Sequence, residues 1–512
     1  MSFRQDRTNP STAISQWKGR SSTKAAWPST KVSTWMNGGL FGGGASSSWC
    51  LSLDLVPGAS LGTYSYGQGL YIDQDNEDIY FTLGSDGNDS FMGKFNTDGE
   101  QVWCTQFDPV SGAAVQANAR HHFLPLTGAG DGKMIWHGRV YRSSTGAYPA
   151  VWVSVNQSDG SLNWSSTIGD SAGWLMYTSG RGKECDDPYA ICYTFGFYSA
   201  WSGNGANVCR FNYSGTMGSN ARLYGGSQNN PGDLVFGTAA SMASSLYFGM
   251  FNAYSSAAEF NTNYVYGTNM SSPGTRYRMD TNFGSNYMWD CGEPRQATPT
   301  STYTNNYPLS IADSAFKLAK IPGFSSASAV TWARTITLTG SGNIASVRDS
   351  GGGPHIAVDG DENLYVLGRD FGASATQDAV YVIKYDTDGT MEWNRAFIFS
   401  NTAISAPGSS PPYMASIDCS DTHVYVAVGT ADGDGYAYII KYKNDGSALG
   451  TAELPGNWSC EVVEGLASSA TLSLSSTGTQ SQAGNGASYP YSFGSAGGSK
   501  SDVTPTVEKV SF

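Results

Sequence analysis

The sequence has few charged residues and few histidines, and both shortages narrow the range of functions. Charged residues make up 14% of the chain, and the five histidines are at positions 121, 122, 137, 355 and 423. None of them stands in a motif with a nucleophile or with further spaced metal ligands. We therefore predict no catalytic residues, no metal ligands and no cofactor.

Long apolar runs are also missing. The opening MSFRQDRTNPSTAISQWKGR has no apolar core of the kind that a secretion signal needs, and no stretch approaches 18 apolar residues. The net charge of −13 argues against a surface that binds nucleic acid, because phosphates are bound by clustered Lys and Arg. We expect no export signal, no membrane insertion and no nucleic-acid partner.

Cysteine pairs at metal-binding or redox spacing are absent. The eight cysteines are scattered, with no Cys-x-x-Cys motif. We expect most of them to be reduced and buried in strands.

What is present is a repeated strand pattern. Residues 354–393 contain four short runs rich in Val, Ile and Tyr, separated by Asp and Gly turns, which is typical of four antiparallel strands. Residues 66–103 carry the same pattern, and residues 412–449 carry it with Leu449 in the place that Trp393 occupies in the first copy. Self-similarity of this kind predicts a repeat architecture.

The spacing of the turn glycines predicts the number of repeats. Gly99, Gly160, Gly215, Gly389 and Gly446 are 61, 55, 174 and 57 residues apart, and 174 is three intervals of about 58. Two further turns are therefore expected, near positions 274 and 323. The prediction is an all-β protein, a β-propeller of seven four-stranded blades with an extended N-terminal arm.

One repeat resembles a known family. Residues 377–393 (QDAVYVIKYDTDGTMEW) resemble the short β-propeller repeats of bacterial proteins, and their Gly-x-x-x-Trp end is similar to the tryptophan-docking turn of quinoprotein-type propellers. The resemblance implies a structural role in the blade turns for Asp98, Gly99, Trp103, Asp159, Gly160, Trp164, Asp388, Gly389, Trp393, Asp445 and Gly446.

The segments on either side of the propeller differ from it, which predicts three parts: an arm (1–47), the propeller (48–474) and a tail (475–512). The arm has six basic residues and one acidic residue, a net charge of +5 that leaves −18 for the rest of the chain. We predict that it docks on a partner through Trp17, Trp27, Trp35, Met36, Leu40 and Phe41, with a disordered leader as the alternative. The tail is of low complexity and is either a flexible end or a second docking strand.

Closing a ring of blades requires a strand that joins the two ends of the repeat array. Residues 49–56 alternate well enough to be this strand, and residues 470–474 are the other candidate.

The middle of the chain is the least regular and is dense in Tyr, Trp, Asn and Ser, a composition typical of adaptable recognition surfaces. The candidate recognition residues are Tyr198, Trp201, Tyr254, Tyr264, Tyr287, Trp289 and Tyr303. The alternative is that they are ordinary core aromatics.

Two acidic turns, residues 73–78 and 359–362, recur at the same place in the repeat. Their carboxylates suggest either a structural turn or a calcium site, although neither has the spacing of a known calcium loop. A glycosidase would need two paired carboxylates, and no pair can be identified.

The combination of a propeller, no export signal and a basic, glycine-rich arm suggests a function. Residues 34–44 (TWMNGGLFGGG) resemble the glycine-rich attachment segments of structural proteins of marine phages. The resemblance implies a non-enzymatic virion protein of the tail or fibre, a homo-oligomer made in the host cytoplasm. Its partners would be tail or capsid proteins and a glycan or protein of the host surface. The alternatives are a glycan-degrading propeller enzyme and an intracellular protein-binding scaffold.

Overall fold

The computed structural model describes part of the chain. The described residues are 48–55, 65–85, 90–108, 113–115, 122–126, 130–142, 150–168, 174–177, 183–184, 191–199, 204–216, 221–226, 247–252, 264–269, 275–278, 289–292, 305–312, 315–322, 330–338, 355–374, 377–401, 414–429, 436–455, 458–473, 479–481, 493–495 and 499–512. The predicted arm, residues 1–47, lies outside them with all six of its proposed anchors.

The described residues form strands joined by turns. In chain order the strands are β1 (Trp49–Asp54), β2 (Ser65–Ile72), β3 (Ile79–Ser85), β4 (Ser90–Phe95), β5 (Gln101–Asp108), β6 (Ala113–Val115), β7 (His122–Pro125), β8 (Lys133–Arg142), β9 (Ala150–Asn156), β10 (Leu162–Ile168), β11 (Trp174–Tyr177), β12 (Lys183–Glu184), β13 (Ile191–Ser199), β14 (Asn204–Phe211), β15 (Ala221–Gly226), β16 (Tyr247–Asn252), β17 (Tyr264–Asn269), β18 (Thr275–Arg278), β19 (Trp289–Gly292), β20 (Asn305–Ala312), β21 (Ala315–Pro322), β22 (Trp332–Leu338), β23 (Ile356–Val358), β24 (Leu364–Ser374), β25 (Gln377–Tyr385), β26 (Met391–Asn401), β27 (Met414–Cys419), β28 (His423–Gly429), β29 (Tyr436–Lys443), β30 (Gly450–Leu454), β31 (Trp458–Glu464), β32 (Ala467–Thr471), β33 (Thr479–Ser481), β34 (Phe493–Ser495), β35 (Ser499–Asp502) and β36 (Thr506–Ser511). Within this part of the chain no helix has the length and hydropathy of a membrane span.

These strands pair into seven antiparallel sheets, which we number in chain order. From one edge to the other, the strand orders are β2-β3-β4-β5-β35 in sheet 1, β6-β8-β9-β10-β34 in sheet 2 with β7 also on β8, β11-β13-β14-β15 in sheet 3 with β12 also on β13, β16-β17-β18-β33 in sheet 4, β19-β20-β21-β22-β32 in sheet 5, β23-β24-β25-β26-β31-β30 in sheet 6, and β27-β28-β29-β1-β36 in sheet 7.

The predicted fold is confirmed: the chain is an all-β propeller, built from sheets in which consecutive strands neighbour one another. Sheet 7 is completed by β1, which pairs with β29 from Trp49 opposite Lys441 to Asp54 opposite Tyr436. The first of the two predicted closing strands is therefore the one used. The seven sheets equal the expected repeats in number, and seven as the blade count of the whole chain stays a prediction.

The core lies between neighbouring sheets. The described core clusters lie between sheets 1 and 2, sheets 7 and 1, sheets 6 and 7, and sheets 5 and 6. Four cysteines among the described residues, Cys50, Cys104, Cys419 and Cys460, are buried and form no disulfide, as the sequence predicted. Burial raises the pKa of the Cys104 thiol to about 12, so this cysteine is an inert core residue.

Strands β31 to β36, which we call the outer belt, extend these sheets at their outer strands. Its strands β31, β32, β33, β34, β35 and β36 pair with the outer strands β26, β22, β18, β10, β5 and β1. The belt strands therefore pair in turn with sheets 6, 5, 4, 2, 1 and 7, which, apart from sheet 7, is the reverse of the order in which the chain builds them. They cover strand edges that would otherwise be open to pairing with other chains. Residues 482–492, between β33 and β34, lie outside the described residues.

Candidate functional site

A tight turn follows the third strand of a sheet, and two residue types recur in it. Gly99, Gly160, Gly215, Gly389 and Gly446 have φ between 65° and 78°, a left-handed conformation that favours glycine. Three residues before the glycine stands an Asn or an Asp in three of these turns, whereas Gln157 precedes Gly160 and Lys443 precedes Gly446. The turns expected near 274 and 323 lie outside the described residues.

The side chain of the residue that opens such a turn holds its backbone. In the first sheet the Asn96 Oδ1 atom accepts the N–H groups of Asp98 and Glu100 at 3.1 and 2.8 Å. In the sixth, Asp386 Oδ1 accepts those of Asp388 and Thr390 at 3.0 and 2.7 Å. These are Asx turns, in which a short side chain replaces a backbone acceptor.

A tryptophan from the fourth strand of one sheet docks on the turn of the next. The Trp103 indole N–H donates to the carbonyl of Gln157 at 3.0 Å, and a Cβ at Gly160 would lie only 2.6 Å from the ring. The same donation joins Trp164 to Tyr213, Trp332 to Thr387 and Trp393 to Asn444, at 3.1, 3.0 and 2.9 Å. The turn residues singled out in the sequence therefore lie at the junctions between sheets.

Trp49 supplies the tryptophan that the repeat at 412–449 lacks. It lies opposite Lys441, as Trp393 lies opposite Lys384, and its ring is 3.5 Å from where a Cβ on Gly99 would be. Leu449, which the sequence repeat predicted in the tryptophan position, stands three and not four residues after Gly446 and is 52% exposed. The strand that closes sheet 7 thus also closes the series of docked tryptophans.

The closing junction between sheets 7 and 1 centres on the carboxylate of Glu77, which has a left-handed φ of 57°. Its Oε1 atom accepts the hydroxyls of Ser420 and Thr422, each at 2.5 Å, and lies 3.1 Å from Nδ1 of His423. Its Oε2 atom accepts Lys441 Nζ and Thr97 Oγ1, each at 2.9 Å. Five side chains from two sheets therefore converge on one carboxylate.

The ammonium group at this junction is buried and fully engaged. The Lys441 side chain is 0% exposed, donates to Thr97 O and Thr97 Oγ1 at 3.1 and 2.7 Å, and lies 5.7 Å from the Tyr425 ring centre. Burial alone would raise the pKa of Glu77, but the His423 hydrogen bond and the Lys441 charge outweigh it. The pKa of Glu77 is therefore well below its usual range.

The group of Glu77, His423 and Thr422 contains the residue types of a hydrolytic triad but not its geometry. In a triad the acid and the nucleophile contact opposite ring nitrogens of the histidine, so that a proton can pass between them. Here Thr422 Oγ1, at 2.7 Å, and Glu77 Oε1 both face Nδ1, and the hydroxyl donates directly to the carboxylate. The arrangement holds two sheets together and does not activate a nucleophile.

Sheets 5 and 6 meet through a second carboxylate of the same kind. Glu362 also has a left-handed φ, 63°, and its Oε2 atom accepts Tyr307 Oη at 2.5 Å and Asn305 Nδ2 at 2.7 Å. Lys320 Nζ is 3.4 Å from the same oxygen and donates to Thr387 Oγ1 at 2.7 Å. Burial opposes ionisation, yet the Tyr307 and Asn305 hydrogen bonds and Lys320 lower the pKa of Glu362 overall.

The acidic turns proposed as possible calcium sites use their carboxylates in hydrogen bonds within the protein. Asp359 accepts the backbone N–H groups of Asp361 and Asn363 at 3.0 and 2.8 Å, and Asp73 accepts that of Asp75 at 2.9 Å. Burial raises the pKa of Asp359. Among the described residues no three His, Cys, Asp or Glu side chains form a group suited to a metal ion.

The predicted recognition residues are only partly described. The backbones of Tyr198, Tyr264 and Trp289 lie in β13, β17 and β19, in three different sheets. Trp201, Tyr254, Tyr287 and Tyr303 lie outside the described residues, so their role in recognition stays a prediction.

The junction carboxylates were not identified from the sequence, although a signal was present. Glu77 and Glu362 stand in the two acidic turns, and lysines 94, 384 and 441 recur at one position of the repeat. What the sequence does not show is that Lys441 crosses to a carboxylate 364 residues away.

Comparison with protein-family models gives no match. A search of curated proteins likewise gives none.

Several solved structures are similar to the chain at low identity. One is a GH93 α-L-arabinofuranosidase of Fusarium graminearum in complex with arabinobiose (8% identity, 78% of this chain and 98% of that chain, TM-score 0.39). Another is a subtype N10 neuraminidase-like protein of A/little yellow-shouldered bat/Guatemala/060/2010 (7% identity, 77% of this chain and 98% of that chain, TM-score 0.32). A third is the six-bladed β-propeller lectin of Aleuria aurantia (8%, 64% and 93%, TM-score 0.31).

Proposed function

We propose that this protein is a non-enzymatic structural component of a phage particle, in the tail or fibre. In this proposal the propeller serves for assembly or for adhesion to the host surface, and residues 1–47 dock it to the particle. Its partners are other tail or capsid proteins and a glycan or protein of the host surface. It works as a homo-oligomer in the virion, without a cofactor.

The observation that carries the proposal is how the described residues use their reactive side chains. Glu77, His423 and Lys441 face one another across a junction, as do Glu362 and Lys320. Carboxylates whose oxygens already accept several hydrogen bonds from neighbouring side chains stabilise the propeller. They are not free to serve as general acid or base. This use of charge favours a structural role over a catalytic one.

The way the ring is fastened supports the same proposal. It is closed by β1, by docked tryptophans such as Trp49 and by the outer belt. Because a propeller with protected strand edges resists aggregation, it suits a protein exposed outside a cell.

The test is incorporation into particles. Trp35→Ser with Phe41→Ser should leave the propeller folded, as judged by its circular dichroism spectrum, and should abolish recovery of the protein in purified virions. The matched control is Lys24→Gln with Lys31→Gln, which changes charge in the same segment and should retain incorporation if the apolar residues are the anchors.

Two results would contradict the proposal. Recovery of a chain lacking residues 1–47 in purified virions would exclude docking by the arm. Release of new reducing ends from host polysaccharide by the purified protein would instead support the glycan-degrading alternative.

A further inference from the structure

Strand β1 is hydrogen-bonded along both of its edges by segments from far along the chain. On one side it pairs with β29, and on the other Cys50, Ser52 and Asp54 lie opposite Val510, Glu508 and Thr506 of β36. Among the described strands β36 ends this sheet. Without β36, therefore, β1 would be an edge strand.

The direction of the β36 amides follows from one hydrogen bond. The N–H of Phe512 donates to the carbonyl of Ser48 at 3.2 Å. Because amides alternate in direction along an antiparallel strand, those of Val510 and Glu508 also point towards β1. The amides of Lys509 and Ser511 point away from it.

The side chains of β36 are partly buried or exposed, and one of them, Lys509, donates its Nζ to the carbonyl of Asp98 at 2.8 Å. Val507 packs partly buried against the core between sheets 7 and 1, and Val510 and Phe512 pack against the core between sheets 6 and 7. The remaining side chains of the strand, Thr506, Glu508, Lys509 and Ser511, are exposed. By contrast, Leu51 and Leu53 of β1 are 0% exposed.

We propose that residues 506–512 act as a latch on β1. When the latch is seated, both edges of β1 are paired and the ring is closed at sheet 7. When it is released, β1 becomes an edge strand that opens more readily. This inference does not depend on the proposed virion role, because it concerns strand pairing in the isolated chain.

The first test compares two proline substitutions in the purified full chain by hydrogen exchange. Glu508→Pro removes an amide that points towards β1, whereas Ser511→Pro removes one that points outwards, where proline is tolerated. Exchange in a peptide covering residues 49–54 should be about ten-fold faster than wild type in Glu508→Pro and within about two-fold of it in Ser511→Pro. A peptide covering residues 379–385 of sheet 6 should not change in either variant, which controls for global unfolding.

The second test locks the latch and does not depend on a destabilised variant. Ser52→Cys with Glu508→Cys places two thiols on opposite residues, at a separation that a disulfide can span. Oxidation should slow exchange in residues 49–54, and reduction of the same protein should restore the faster rate. Equal exchange of residues 49–54 in Glu508→Pro and Ser511→Pro, or no difference between the oxidised and reduced double variant, would overturn the latch.

Discussion

Two junctions are built from the same kinds of side chain but differ in how deeply these are buried and how close the charges lie. One is the closing junction between sheets 7 and 1, and the other joins sheets 5 and 6. Each joins a left-handed glutamate in one sheet to a lysine in the other. At the closing junction Glu77 is 18% exposed and Lys441 is 0% exposed, with the two charged atoms 2.9 Å apart. At the other, Glu362 is 30% exposed and Lys320 is 13% exposed, at 3.4 Å.

The difference in burial between the two junctions matches a difference in how far apart their partners are in the sequence. Glu362 and Lys320 are 42 residues apart in the chain, whereas Glu77 and Lys441 are 364 apart. Joining distant segments costs more chain entropy than joining near ones. The denser set of contacts at the closing junction offsets this cost, and the predictions below test that difference.

The largest effect is expected from removing the charge of the junction glutamate. Glu77→Gln leaves the buried Lys441 without its counter-charge and should lower the free energy of unfolding by about 3–5 kcal/mol. Glu362→Gln affects a more exposed pair and should cost about 1–2 kcal/mol. Urea unfolding followed by tryptophan fluorescence measures both, and equal losses would remove the distinction between the junctions.

Substitution of the turn glycines should cost less stability at the closing junction, which contains Gly99, than at the junction between sheets 5 and 6, which contains Gly389. A Cβ on Gly389 would lie 2.7 Å from the Trp332 ring, whereas one on Gly99 would lie 3.2 Å from Leu51 and 3.5 Å from Trp49. Both substitutions to alanine carry the cost of left-handed φ, about 1–2 kcal/mol, and only Gly389→Ala adds overpacking of about 1–3 kcal/mol. Thermal unfolding of the two variants measures this, and a Gly99→Ala loss equal to the Gly389→Ala loss would contradict the docking geometry.

Acid should weaken the closing junction in a defined direction. Because the pKa of Glu77 is lowered in the folded state, its contribution is complete above the usual glutamate range and is lost as the pH falls through the folded pKa. The difference in unfolding free energy between wild type and Glu77→Gln should therefore shrink by about 3 kcal/mol from about pH 5 to about pH 2. Urea unfolding at several pH values measures it, and a difference independent of pH would show that the carboxylate charge is not the stabilising feature.

The smallest effect is expected at Leu449. Leu449 stands three residues after its turn glycine, one residue short of the tryptophan position, and it is 52% exposed; Trp49 makes the docking contact. Leu449→Ser should change stability by less than about 0.5 kcal/mol, whereas Trp49→Ala should cost about 3 kcal/mol. Differential scanning calorimetry compares them, and a large loss in Leu449→Ser would show that the sequence repeat, not β1, supplies the docked residue.

The sequence repeats predicted much of the architecture because the strands and turns are determined by local residue patterns. Alternating strands and turns such as Asp98-Gly99 are encoded within a few residues, so they can be read from one sequence. The sequence shows that the repeat at 412–449 ends without a tryptophan. That Trp49 takes over the docking contact cannot be read from it, because this depends on a pairing across almost the whole chain. Belt strands such as β35 were missed because they are held by backbone pairing and need no apolar alternation, and residues 499–502 show none.

The central claim is that segments near the two ends of the sequence share one sheet, and a cross-link tests it most directly. Asp54 lies opposite Tyr436, so Asp54→Cys with Tyr436→Cys should form a disulfide on mild oxidation. Because the disulfide closes a long loop, the denatured protein is more compact and should migrate faster on a non-reducing gel. Asp54→Cys with Lys443→Cys, at the other end of β29, should not form it. Failure of the first pair to cross-link, or equal cross-linking of both pairs, would contradict closure of the ring by β1.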